Sequence, residues 1–152
     1  VPKNPSKKPF QIDHEGHKTT MKATLNTPNT LFLAIWTQAD KSILLGTLQT
    51  NEGPVPVMED KGQGPTALLA TCLEDAKLID ARHLVIFTND KTLLALYTPP
   101  IRLEPVSAER QHLYVPVQWA VLRHFCRYDT WQVIEKTSLP NAKAKWEAIY
   151  AH

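Results

Sequence analysis

The chain has 152 residues, 43% of them apolar and 21% charged, which suits one globular domain with a single core and excludes a disordered segment. Lys and Arg number 17 against 15 Asp and Glu, a formal net charge of +2 that is too small to argue by itself for a nucleic-acid partner. No apolar run approaches the ~20 residues needed to cross a bilayer, and the polar start VPKNPSKKPF lacks the apolar stretch of a signal peptide, so no membrane association is expected.

Residues 1–29 hold Pro2, Pro5, Pro9 and Pro28 among Lys, Thr and Asn, a composition that reads as an extended arm or linker, with the folded domain over 30–152. Val1 in first place is expected for a domain cut from something longer, and equally for a chain whose initiator Met has been removed. The apolar, β-branched run 31–37 (LFLAIWT) and the run 42–50 (SILLGTLQT) flank a short polar break and predict a hairpin. A third strand is expected over 55–58, with Pro56 restricting it to an edge or a bulge.

After Gly62-Gln63-Gly64-Pro65, the spacing of Leu69, Cys72, Leu73 and Ala76 predicts a helix over 66–79. The run 83–88 (HLVIFT) does not alternate, as in a strand covered on both faces and therefore central. A short helix over 92–97 must end at Pro99-Pro100, and a longer one is expected over 116–127. The segment 130–136 reads as a strand, and Pro140 opens a last helix over 141–151. The expected order is β-β-β-α-β-α-α-β-α in a mixed five-stranded α/β sheet with helices on both faces. Cys72 and Cys126 each fall in a predicted apolar helix with no second cysteine nearby. They read as reduced core residues of an intracellular protein.

This order resembles that of the ribonuclease H-like superfamily, including its retroelement members. The family's first strand ends in a Thr-Asp-Gly type turn and its central strand in Thr-Asp-Ser. This chain has Trp36-Thr37-Gln38 and Phe87-Thr88-Asn89, keeping the aromatic-Thr pair and losing the acid. The family's final helix is similar to Asn141, Ala144, Lys145 and Ala148, with Lys145 where the acid belongs. Counting back from Asn89 places the family's helix-start glutamate at Pro65, and a shift of one or two residues places it at Thr66 or Ala67.

The resemblance implies a site for two divalent cations, because hard metal ions flanking a phosphodiester need anionic oxygen ligands. Gln38, Pro65, Asn89 and Lys145 at the matching positions remove every one of those charges, so the expected protein is a pseudo-ribonuclease H that binds no cofactor. Lys145 is expected to fill the metal region, bonding the amide oxygens of Gln38 and Asn89 or pairing with Asp90. A rescue would need Asp40 and Asp90 to act as relocated ligands.

Three functions follow. The first is a structural or interaction module, working with a protein partner or a neighbouring domain. The second is a non-cleaving binder of RNA-DNA hybrid or duplex, with a basic stripe of Arg123, Arg127 and Lys145. The third is a metal-dependent nuclease using Asp40 and Asp90. Other features have plainer readings. His14 and His17 read as surface-loop residues, Lys3, Lys7 and Lys8 as solvating charges of the arm, and His124-Phe125-Cys126 as helix packing. Trp36, Trp119, Trp131 and Trp146 read as core or interface side chains. Phosphate loops, Ser-His-Asp sets and zinc spacings are absent from the sequence.

Overall fold

The computed structural model describes residues 10–12, 18–20, 27–101 and 108–151, with side chains over 27–101 and 116–151. Within the predicted arm, β1 (Phe10–Ile12) and β2 (Lys18–Thr20) pair antiparallel with Phe10 opposite Thr20. The arm therefore includes a short ribbon, for which its Phe, Ile and Thr residues supply β-formers. Lys3, Lys7, Lys8, His14, His17 and Pro105 lie outside the described residues.

The main sheet has five strands: β3 (Thr30–Gln38), β4 (Lys41–Thr50), β5 (Gly53–Gly62), β6 (His83–Thr88) and β7 (Thr130–Glu135). Their spatial order is β5-β4-β3-β6-β7. β3, β4 and β5 form an antiparallel meander, while β6 lies parallel to β3 and β7 parallel to β6. The helices are α1 (Pro65–Asp75), α2 (Lys91–Tyr97), α3 (Ala108–Phe125) and α4 (Pro140–Tyr150). A single 3-10 turn, Ala76–Leu78, extends α1. From β3 onward the order is the expected one.

Alternation along the strands sorts their side chains onto two faces. Leu31, Leu33 and Ile35 of β3, Leu44 of β4, and Leu84 and Ile86 of β6 share one face and pack with Leu69, Cys72 and Leu73 of α1, Leu93 and Tyr97 of α2, and Val121 and Phe125 of α3. Ile43 on the opposite face packs with Ala142 and Trp146 of α4. β3 thus packs on both sides, and β6 is buried along nearly its whole length, which is why each reads as an unbroken apolar run.

Two boundaries differ from expectation. β5 runs well beyond 55–58, because a register shift at Gly46 and Thr47 takes up the irregularity around Pro56 on this edge strand. α3 begins at Ala108 and passes through Pro116, which the sequence predicted as its first turn. The ring is exposed and costs the helix one backbone hydrogen bond, while Gln118, Val121 and Phe125 on the inner side remain buried.

Candidate functional site at the strand ends

Because β3 and β6 are parallel neighbours, their C-terminal ends open at the same end of the sheet, where side chains of α/β sheets converge on ligands. β5 ends there too, since Gly62 pairs with Ser42, so α1 starts beside the same opening. Gln38 closes β3 and is exposed, and Asp40 is exposed in the turn that follows. That turn is tight: Gln38 pairs directly with Lys41, and Ala39 takes a left-handed φ of 56°.

Asn89, the first residue after β6, makes a two-way clamp on β3. Its Oδ1 accepts from the Thr37 backbone N–H at 2.8 Å, and its Nδ2 donates to the Thr37 carbonyl at 2.8 Å. The side-chain amide acts as one more rung of the sheet, beyond the last backbone pair. One residue earlier, the buried Thr88 hydroxyl donates to the Ile35 carbonyl at 3.0 Å and accepts from the Asp90 N–H at 3.0 Å. Thr37 and Ser42 share a hydrogen bond of 2.7 Å between their hydroxyls. The strand ends are stitched together by neutral groups.

Each candidate replacement acid has its own place. Asp90 is the N-cap of α2, its Oδ2 accepting from the Leu93 N–H at 2.8 Å, and such caps contribute about 1 kcal/mol. Asp40 stays in the exposed turn. Pro65 is the first residue of α1, after Gly64 with extended backbone angles, and the first turn of that helix holds no acid.

Lys145 does not enter the strand-end region, contrary to the sequence expectation. Its ammonium lies 3.3 Å from a Glu59 carboxylate oxygen on β5, both side chains being half exposed. The reason is the rotation of α4, fixed by burial of Ala142 and Trp146, which turns position 145 toward the sheet edge. Tyr150 meets the β3–β4 turn instead, its hydroxyl donating to the Ser42 carbonyl at 3.4 Å beneath the Lys41 ammonium. The Lys145 side is a groove of about 750 Å³ lined by Leu45, Met58, Ala144 and Ala148.

The predicted basic stripe is also divided. Arg123 and Arg127 belong to α3 and the turn after it, on the α1 face of the sheet, whereas Lys145 lies on the α4 face. Arg127 donates to the Leu73 carbonyl at 3.0 Å. One more expectation changes on the same face: Cys126 is exposed, just past the end of α3 at Phe125, and not a core residue. Trp119 is 48% exposed, which leaves the interface and not the core half of its reading, while Gln118 and Val121 occupy the inward positions. Cys72 is a core thiol, pushed up to about 12 by burial and by the charges of Asp60 and Asp75.

A pair of divalent cations would need several anionic oxygen ligands here. Asn89 has both amide atoms engaged, Asp90 caps a helix, Gln38 is neutral, and Pro65 has no ligand atom on its side chain. They do not fit the group. Among the described residues no cluster of three or more His, Cys, Asp or Glu side chains is placed to hold a metal ion.

The fold has parallels among solved structures. RNase H1 from Halobacterium salinarum NRC-1 superposes with a TM-score of 0.50 at 12% identity, covering 81% of this chain and 98% of that one. The N-terminal RNase H domain of rv2228c from Mycobacterium tuberculosis gives 0.51 at 8% identity, over 75% and 91% of the two chains. The fold is ribonuclease H-like. At these identities the likeness extends to the ribonuclease H-like fold alone. No protein-family model matches the sequence. No curated protein matches it either. None of the helices among the described residues is long and apolar enough to cross a membrane.

Proposed function

We propose that this is a non-catalytic ribonuclease H-like domain, a pseudo-ribonuclease H that serves as a structural or protein-interaction module in a larger protein or complex. The observation that carries the reading is the Asn89 clamp. Its Nδ2–H···O bond to Thr37 requires a donor, and an ionised carboxylate has none. The position where the family resemblance calls for a metal-binding Asp is used to hold two strands together. Asp90 supports the same conclusion, since its carboxylate is engaged at the α2 N-terminus.

The similarity to RNase H structures favours a second reading, a nucleic-acid-related domain that binds RNA-DNA hybrid without cutting it. Against it stands the division of Arg123 and Arg127 from Lys145 by the sheet, so that these three cations do not form one stripe along a phosphate backbone. The third reading, a nuclease relying on Asp40 and Asp90, requires Asp90 to leave its cap.

The test combines Mg²⁺ and Mn²⁺ calorimetry with hybrid binding and cleavage on one sample. No saturable metal heat, no cleavage and no salt-sensitive hybrid affinity is the expected outcome. Hybrid binding without cleavage would select the second reading. Cleavage abolished by Asp90→Asn would select the third and overturn the proposal.

A further inference from the structure

The outer face of α1 and α3 carries chemistry that the strand ends do not use. Lys77, Arg123, His124 and Arg127 surround Glu74 in a depression of about 370 Å³ floored by Ala120. Glu74 already holds two of them, with Lys77 at 2.6 Å and His124 Nε2 at 3.3 Å. Hydrogen bonding from Lys77, with His124 and Arg127 nearby, holds the Glu74 carboxyl below the usual range. The surface has therefore selected a carboxylate from its own chain and retains cationic capacity: Arg123 is exposed and takes part in no ion pair among the described residues.

Apolar side chains flank this charge on both sides. Trp119, 48% exposed, sits one helical turn before Arg123 on α3. On the other side Leu78, 93% exposed, borders a second depression of about 320 Å³ that shares Lys77 and Arg127 with the first and also includes Asp80. Leu78 and Trp119 are two of the three large apolar side chains exposed among the described residues, the third being Val55 on β5. Exposed Trp beside Arg is the composition enriched at interface hot spots.

We propose that this face docks an acidic polypeptide segment bearing a large apolar side chain, its carboxylates meeting Arg123, Arg127 and Lys77 and its apolar residue packing on Trp119. Charge complementarity selects the occupant. A nucleic-acid strand is the less favoured ligand because the cations form one compact cluster interrupted by Glu74 and Asp80, not a track. The inference rests on the interaction-module reading and names the partner chemistry for it.

The experiment uses the full chain with a maleimide dye on the exposed Cys126, the neighbour of Arg127. A short peptide rich in Asp and Glu around a central Leu-Phe pair is titrated in, against a Lys-substituted version and a single-stranded oligonucleotide. Saturable binding of the acidic peptide is expected, weakened about tenfold or more by Trp119→Ala and by Arg123→Glu, the scale of an interface hot spot. Both residues are exposed, and circular dichroism checks that each variant stays folded. No saturable response, binding by both variants as tight as that of the wild type, or tighter binding of the oligonucleotide would overturn the proposal. Hybrid cleavage by the same sample would remove the non-catalytic reading while leaving this titration interpretable.

Discussion

Asn89→Asp changes one amide nitrogen to oxygen, restores the acid that the family resemblance calls for, and should destabilise the protein. The introduced carboxylate can still accept from the Thr37 N–H, but its second oxygen would face the Thr37 carbonyl where a donor now sits at 2.8 Å. One lost hydrogen bond, with the carbonyl left facing a like partial charge, costs about 1–3 kcal/mol. For a domain of this size that is a fall in Tm of about 2–4 °C per kcal/mol. The effect has a pH signature. The neutral acid can donate to Thr37, so its folded pKa is raised. The deficit is then full above that pKa and shrinks as pH falls through it toward the unfolded value near ~3.9. Thermal unfolding of Asn89→Asp and wild type across acid and neutral pH measures this directly. A variant as stable as wild type at neutral pH, or one whose Tm rises selectively with Mg²⁺, would refute the clamp and make the strand ends a cation site.

Three further outcomes are expected. Gly46→Ala should cost about 1–3 kcal/mol by overpacking, since an added Cβ would lie 2.4 Å from Met58 Cγ and 3.2 Å from Leu33 Cδ2; Met58→Ala should recover part of that loss in a denaturant midpoint measurement. Stability should fall as pH drops below about 6.5. Burial, with Arg82 beside His83 and Arg127 beside His124, holds both imidazoles below their usual pKa, so the unfolded chain takes up protons that the folded one refuses; a Tm unchanged between neutral and mildly acid pH would contradict this. In native protein a thiol reagent should modify Cys126 quickly and reach Cys72 only after denaturant is added, because the Cys72 thiol is buried and pushed up to about 12.

The sheet was legible because its strands are set by burial. Runs such as LFLAIWT and HLVIFT are apolar at successive positions, and both belong to strands inside the sheet order that are buried along most of their length. The substitutions at the strand ends were legible as residue types, but their partners were not. Asn89 bonds to a backbone 52 residues away, a contact that no local pattern encodes. Asp90 carried a readable signal, an Asp immediately before a helical run, and that cap is where its carboxylate goes. The direction of Lys145 depends on how α4 rolls on the sheet, and Trp146 beside it was the clue, since a buried Trp turns its neighbour outward. Grouping Arg123 and Arg127 with Lys145 failed because sequence proximity of α3 and α4 says nothing about which side of a sheet each helix covers.

The central place of β3 has a consequence for how this chain can be assembled or cut. β3 pairs with β4 through a tight turn, but its other edge waits for β6, which begins at His83. During synthesis the meander can close early, while Leu31, Leu33 and Ile35 stand beside an open edge until more than thirty further residues beyond Thr50 have emerged. A truncation ending before β6 would leave the most apolar strand of the domain as a bare edge, the arrangement most prone to pair with another chain. Fragments of this domain should therefore be divided outside residues 30–135, the span that contains every strand of the main sheet.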